Sequence, residues 1–299
     1  MREIVIADTL ITDESGAVCV AELGANHMGS LEVCKQMMKA AADAGAWAVK
    51  LQRRDLATWA SVDPKWDQPY HSEHGFGATY GEHRAALEFE VDQYRELKAY
   101  AESLGLVFFA TAWDVPSVGF LERLGVPALK LASASIVNRP LLQAAAETGL
   151  PLILSTGGAT PKEIDDAVDL IWDRAPLALL HCVSAYPCEA RDMNLACITW
   201  LRNEYPSIVI GLSDHYNGIA LAPVAFMMGA RVMEKHFSLN RSWKGSDQAW
   251  SLEPPGLKKM VRDLERTREA LGDGIKRRLD IEVPALIKMG RTELREESA

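Results

Sequence analysis

From residue 18 onward the chain alternates short aliphatic or β-branched runs with longer amphipathic stretches. The runs are VCVAELG (18–24), AWAVKLQ (46–52), LVFFATAW (106–113), ALKLAS (128–133), LILST (152–156), LALLHCVS (177–184), IVIGLSD (208–214) and RVMEKHF (231–237). Eight strand-like runs separated by helical patterns predict an α/β fold, a (β/α)8 TIM barrel. The helix signals agree. Between 31 and 42, Leu31, Cys34, Met38 and Ala41 form one apolar stripe. In GGATPKEI, Thr160 can cap, Pro161 sits at the first helical position and Glu163 completes a capping box.

Two segments break the alternation. EIVIADTLITDESG, 3–16, reads as a hairpin ahead of the first barrel strand, covering the bottom of the barrel. Residues 53–89 are far longer than a usual βα connection, and a loop of that length in a compact domain reads as an active-site lid. The expected organisation is therefore a barrel over 1–280, with the N-terminal hairpin in 1–17 and the lid at 53–89, followed by a tail at 281–299. The stretch from Gly272 to Ala299 is polar and charge-rich, a last strap with a frayed end, and no composition shift marks a second domain.

Composition narrows the partners. The 299 residues are 48% hydrophobic and 24% charged, enough for one large core, and the net charge of -9 argues against nucleic acid or an anionic membrane. Any anionic substrate must be held by local lysines. Five cysteines without a C-x-x-C predict neither a disulfide framework nor a zinc knuckle, and fit a reduced, cytoplasmic setting. The first residues show no signal-peptide pattern, and no apolar run approaches the ~18 residues of a membrane span.

A barrel places its chemistry at the C-terminal ends of its strands. The polar residues there are Glu22; Lys50 and Gln52; Thr111; Lys130 and Ser133; Ser155; Ser184 and Tyr186; Ser213, Asp214 and His215; Glu234, Lys235 and His236. One lysine in an apolar strand can simply snorkel outward, but three, at 50, 130 and 235, read as a site for phosphate or carboxylate. Thr111, Ser133, Ser155, Ser184 and Ser213, singly ordinary strand-end residues, together complete a phosphate cradle. His215 and His236, on neighbouring strands joined by the helical stretch 219–229, emerge at one sheet edge. Two neutral imidazoles suit divalent manganese, iron, cobalt or zinc, with carboxylate and water completing the shell; the alternative is a pair of structural histidines. Glu22 lies across the barrel closure from the eighth strand, within reach of a metal's water, the substrate or a lysine partner. In the lid, His71, His74 and His83 with Glu82 and Arg84 read as a solvated polar loop; His27 and Arg53 lie near strand ends, and His181 reads as core.

These residues resemble a known family. AELGANHMGSLEVCKQMMKAAADAGAWAVKLQ, ALKLASASI, LPLILSTGGAT, LLHCVSAYPC, IGLSDHYNG and MEKHFSLNRSWKGSDQAWSLEP are similar, in order from about 18 to about 280, to the barrel domain of sialic acid (N-acetylneuraminate) synthases and of bacterial nonulosonic acid synthases for legionaminic and pseudaminic acid. The resemblance implies a cytoplasmic transferase in carbohydrate biosynthesis that condenses phosphoenolpyruvate with an open-chain aldose, giving a 3-deoxy-2-keto (ulosonic) acid and phosphate. It implies metal binding by His215 and His236, an essential Glu22, a phosphoenolpyruvate site of Lys50, Thr111, Lys130, Ser133, Ser155, Ser184 and Ser213, and a sugar site near Gln52, Tyr186 and Asp247. The expected cofactor is a divalent metal, Mn2+ or Mg2+, and the expected assembly a homo-oligomer, a dimer or higher. Three departures fall on the sugar side. The chain carries only the barrel, without the family's C-terminal antifreeze-like domain and its arginine; Ser135 replaces a glutamate; and GSDQ puts Gln248 where G-P-D-H has histidine. Arg53, Arg84, His83 or Lys244 are candidates to supply the missing cation, which suits an acceptor with its own anionic group. The competing expectations are a Schiff-base (class I) aldolase using a barrel lysine, and a non-catalytic sugar-phosphate binding protein.

Overall fold

The computed structural model describes residues 2–291. A two-stranded antiparallel sheet, β1 (Glu3–Ile6) and β2 (Thr9–Thr12), precedes eight parallel strands: β3 (Val18–Gly24), β4 (Ala48–Arg53), β5 (Val107–Ala112), β6 (Leu129–Leu131), β7 (Leu152–Ser155), β8 (Leu177–Cys182), β9 (Val209–Asp214) and β10 (Val232–His236). These eight close in sequence order, β10 pairing with β3, into the expected barrel. Each predicted run coincides with one of them, β4 extending one residue past its run to Arg53.

The helices between strands start where the sequence supplies caps. Ser30 caps Leu31–Asp43, Asp114 caps Val115–Leu124, and Thr160 with Glu163 forms a complete capping box on Pro161–Ile171. Each lays an apolar face on the barrel: Cys34, Met37, Met38 and Ala41 are buried on the first, Ile164, Ala167, Val168 and Ile171 on the last. The chain divides after Glu265 into two compact units. The second contains a 3-10 turn at Asp280–Glu282 and the helix Val283–Lys288; of the 272–299 stretch expected to form a strap with a frayed end, residues 292–299 lie outside the described residues.

The hairpin does cover the bottom. Ile4, Ile6 and Ile11 are buried in the core, and Thr9 Oγ1 accepts the Trp47 indole N–H (3.0 Å) at the start of β4. Asp13 then ties it down. Its carboxylate meets Arg2 Nη1 (2.9 Å) and Arg202 Nη1 (2.6 Å), and its carbonyl accepts from Arg231 Nε (3.0 Å), at the head of β10. Burial tends to raise the Asp13 carboxyl, but the hydrogen bonds and charges of Arg202 and Arg2 outweigh it and hold it below the ordinary value of 3.8. Since the folded state favours the ionised form, this stabilisation is present above pH 3.8 and is lost as pH falls through the lower folded value. Asp13→Asn is expected to cost about 1–3 kcal/mol at pH 7 by urea melting. The gap to wild type should close in acid; a gap that stays constant with pH would contradict the clamp.

Candidate active site

The register of the barrel decides which strand-end residues meet. Glu22 lies beside Lys50 on one side and His236 on the other, and Gln52 beside Thr111, which in turn neighbours Lys130. Side chains alternate in and out along a strand. Thus Lys50 and Gln52, Ser213 and His215, and Glu234 and His236 face inward, with Glu22, Thr111, Trp113, Lys130, Ser133, Ser155, Cys182, Ser184 and Tyr186, around one cavity of about 460 Å³.

The floor is a network of buried charges. Lys50 Nζ meets Glu22 Oε2 at 2.5 Å, donates to Thr111 Oγ1 (2.8 Å) and lies 3.9 Å from Glu234. Lys130 Nζ donates to Ser155 Oγ (2.6 Å) and the Leu131 carbonyl (2.9 Å), 4.0 Å from Glu234. Glu234 also accepts from Ser213 Oγ at 3.1 Å. Burial pushes the Glu22 carboxyl up to about 7, the Lys50 charge opposing the rise and the Glu234 charge adding to it. Burial acts on Glu234 in the same sense, yet Lys130 and Lys50 hold it below its ordinary value. The two carboxylates are thus driven apart, one ionised and one able to exchange a proton near neutrality. Burial also lowers Lys130, against the pull of Glu234.

Above Lys130 the wall is lined by hydroxyls and one amide. Gly157 N–H donates to Ser133 Oγ at 2.9 Å. A Cβ on Gly157 would stand 2.4 Å from Ser184 Oγ and 2.9 Å from Ser133 Oγ, so only glycine lets the chain approach them.

The histidines sit opposite, ring centroids 5.6 Å apart. His215 Nδ1 donates to the Val183 carbonyl (2.8 Å), which leaves Nε2 as the acceptor when the ring is neutral. His236 is held neutral by burial, reinforced by the His215, Lys50, Lys235 and Lys130 charges, and its buried Nδ1 has no hydrogen-bond partner. Asp247 Oδ2 lies 3.5 Å from that nitrogen, outside hydrogen-bond geometry. An acceptor fixed by a carbonyl, an unsatisfied imidazole and a nearby carboxylate are a donor set that fits a divalent ion. Among the described residues no three such side chains converge into a closed cluster, so water and substrate would fill the other positions.

Several expectations change. Lys235, read as a third anion-binding lysine, points outward: its Nζ pairs with Asp214 Oδ2 at 2.7 Å and donates to the Tyr216 carbonyl, with both partners of the ion pair buried. Arg53 is turned away from the cavity, bound to Glu88 (3.2 Å) and stacked over Phe120 (4.8 Å). His27 stacks on Phe89 (4.3 Å) and accepts from Gly29 N–H (3.0 Å), while His181 is buried against the Met193 carbonyl (2.7 Å). Gln248 does not face the cavity either; buried, it donates to the Asn26 carbonyl (2.9 Å) and binds Ser238, pinning its own loop. Ser135 lines a separate hollow with Trp59 and Asn138. The lid is more ordered than a solvated loop. It contains helices Leu56–Val62 and Tyr80–Ala85, and buries His83 among Tyr70, Phe76 and Tyr80. Sequence reasoning missed Cys182 and Trp113 as lining residues, although Trp113 ends the predicted run 106–113 and Cys182 lies two residues before the end of 177–184, and missed Arg54, which stacks on Trp113. Residues 37–276 match the NeuB family.

The class the fold and cavity define is a (β/α)8 barrel whose strand ends gather two buried lysines, a group of hydroxyls and two open histidines around one cavity. The chain belongs to the NeuB family, and relatives it resembles are named N-acetylneuraminate-9-phosphate synthase, N,N'-diacetyllegionaminic acid synthase and pseudaminic acid synthase. It is 38% identical over 274 residues to the human N-acetylneuraminate-9-phosphate synthase, covering 91% of this chain and 76% of that one. It is 36% identical over 281 residues to the N,N'-diacetyllegionaminic acid synthase of Legionella pneumophila, covering 91% and 79%. A crystal structure of N-acetylneuraminic acid (sialic acid) synthetase from Leptospira borgpetersenii, in complex with citrate, superposes with a TM-score of 0.82 at 34% identity, covering 98% of both chains. Among the described residues no helix is long and apolar enough to cross a membrane.

The outward Lys235–Asp214 pair gives a structural prediction. Lys235→Met leaves a buried carboxylate unpaired and should cost about 3–5 kcal/mol, whereas Lys235→Met with Asp214→Asn should recover most of that. Chemical denaturation of the three variants checks it, and a double variant no better than the single would show the pair is not the cause.

Proposed function

We propose that the protein condenses phosphoenolpyruvate with the open-chain aldehyde of a sugar, in a divalent-metal-dependent reaction that yields a 3-deoxy-2-keto sugar acid and inorganic phosphate. The observation that carries this reading is the pair of buried ammonium groups, Lys50 and Lys130, set in one cavity with Thr111, Ser133, Ser155, Ser184 and Ser213 and facing a glutamate with a pKa of about 7. Buried ammonium groups call for anions, and phosphoenolpyruvate brings both a phosphate and a carboxylate. The relatives' names add the product class: sugar acids of the kind such a condensation forms.

In the reaction, C3 of the enol attacks the aldehyde carbon and the aldehyde oxygen becomes a hydroxyl. Water adds at C2; the C2–O bond to phosphate breaks, and phosphate leaves as the ketone forms. One water proton ends on the new hydroxyl and the other on phosphate. Lys50 and Lys130 hold the anionic end of the enol, and the hydroxyls fix its phosphate. Glu22 accepts the proton of the attacking water and passes it on, a role that suits a group poised near neutral pH. Gln52, which donates to Glu22 Oε1 (2.8 Å), orients that carboxyl. His215 and His236, with Asp247 beside them, would hold the metal, Mn2+ or Mg2+, which supplies polarisation of the aldehyde oxygen and a lowered pKa for bound water. Tyr186, tilted against His215 at 4.3 Å, faces the acceptor.

The test is phosphate release from phosphoenolpyruvate, with manganese present, across a panel of N-acylhexosamines and of acidic and phosphorylated aldoses. Release with at least one acceptor, abolished by chelator and restored by manganese, is expected; borohydride trapping with no metal requirement would instead favour the Schiff-base aldolase. Glu22→Gln should lower kcat by about 100-fold to 10,000-fold with metal content unchanged. An active Glu22→Gln enzyme would refute its role.

A further inference from the structure

Both oxygens of the Glu22 carboxyl are held. Lys50 Nζ meets Oε2 at 2.5 Å, and Gln52 Nε2 donates to Oε1 at 2.8 Å. The second contact exists only while the Gln52 amide presents its NH2 edge, because an amide turned by half a rotation would set its carbonyl oxygen against the carboxylate. The choice of edge is made on the far side of the amide. There the Trp113 indole Nε1–H donates to Gln52 Oε1 at 3.1 Å, and Arg54 Nη1 reaches the same oxygen at 3.4 Å. Indole and guanidinium are donors that cannot accept, so the oxygen faces them and the NH2 faces Glu22. The indole is the stronger of the two, since 3.4 Å lies past the usual N–H···O range.

The indole is itself fixed. Trp113 follows β5 and carries its pairing with β4 one step further: its backbone N–H donates to the Arg53 carbonyl (3.2 Å), and its side chain turns into the cavity as Thr111 does. The next residue, Asp114, accepts from the backbone N–H groups of Asp55 (2.8 Å) and Ser117 (2.8 Å) and from the Trp59 indole (2.9 Å). The lid helix Leu56–Val62 is therefore tied to the same corner. The Arg54 guanidinium lies over the Trp113 ring, 4.1 Å from its centroid. On the acceptor's side, the buried Tyr94 donates its hydroxyl to the Gln52 carbonyl (2.9 Å), which steadies the strand under the amide.

We propose that Trp113 is a positioning residue for the reaction: through Gln52 it fixes the rotation of the Glu22 carboxyl, and so the direction in which that group takes a proton from water. This rests on the condensation reading, in which Glu22 accepts the proton of the attacking water. A carboxyl held at Oε2 alone turns easily about its last bond, because a terminal torsion onto a planar group is soft. Held at both oxygens, it keeps one plane. Proton transfer depends on that direction, so the contribution of Trp113 belongs to kcat and not to the binding of phosphoenolpyruvate. The same backbone corner that anchors the lid helix thus also sets the orientation of Glu22.

Trp113→Phe keeps a ring for Arg54 to stack on and removes only the donor. It should lower kcat about tenfold, with KM for phosphoenolpyruvate within about twofold of wild type. A merely structural loss would add to other losses, whereas one exerted through Gln52 disappears with Gln52. In the Gln52→Ala background, Trp113→Phe should therefore change kcat by less than about twofold. An unchanged kcat in Trp113→Phe, or the same tenfold loss in both backgrounds, overturns the proposal. A second readout needs no turnover. The Trp113 indole N–H signal in 15N NMR, assigned by its loss in Trp113→Phe, should move on Gln52→Ala and on Glu22→Gln. Once residue 52 is alanine, Glu22→Gln should no longer move it. An indole signal indifferent to both changes, in a protein that forms keto acid, overturns the relay and leaves the condensation standing. A signal coupled as expected, in a protein that releases no phosphate with any acceptor, sinks the condensation and leaves the relay from Trp113 to Glu22.

Discussion

Four charges sealed into the mouth of the barrel, on Glu22, Lys50, Glu234 and Lys130, can exist there only together. Each alone would carry a desolvation cost of several kcal/mol, and removal of any one strands its partner. Their meeting is a product of register: Glu22 is level with Lys50 on β4, and Glu234 with Ser213 on β9. Closure of the barrel between β10 and β3 brings the two glutamates near each other. Once there, their mutual repulsion and unequal partners separate their proton affinities. Stability and chemistry are the same fact at this point. The cluster that closes the barrel also contains a carboxyl that titrates near neutrality beside two ammonium groups.

Strand alternation then divides the labour. Glu234 and His236 face the cavity, and Lys235 between them faces the helices; Ser213 and His215 face inward, and Asp214 outward. The outward residues find each other because Lys235 and Asp214 are level in the β9–β10 register. One pair of adjacent strands thus carries the metal-competent histidines on one face and a buried structural ion pair on the other. The same rule turns Gln52 into the cavity and Arg53 against Glu88.

This alternation was available in the sequence, and it explains what could be read there. The eight apolar runs fix the strands, and Glu22, Lys50, Lys130 and the five hydroxyl residues stand out because barrel chemistry collects at strand ends. Treating every polar residue at those ends as one ring merged Lys235 with Lys50 and Lys130, although a period of two separates them once the inward positions are known. The lid is a different case. Arg54, Arg84, His83 and Lys244 come near one another through a fold with no periodic signature, from the 37-residue segment 53–89 and a loop more than a hundred residues away. What buries His83 is a cluster of aromatic rings, and nothing in local spacing announces it.

The position of Asp247 links these two halves. It lies 3.5 Å from the unsatisfied nitrogen of His236, and burial raises its carboxyl above the ordinary value while Ser246, Arg84, His215 and Arg54 pull the other way. A carboxylate so placed senses both the histidines and the lid. Its loop is held by contacts that never touch the cavity: Gln248 on Asn26 and Ser238, and Ser251 beneath Asn26 at 2.9 Å. Gln248 therefore acts on the cavity through position. By fixing the backbone on which Asp247 stands, it sets where that carboxylate meets the histidines, while the floor of Lys50 and Lys130 is fixed independently by the strands.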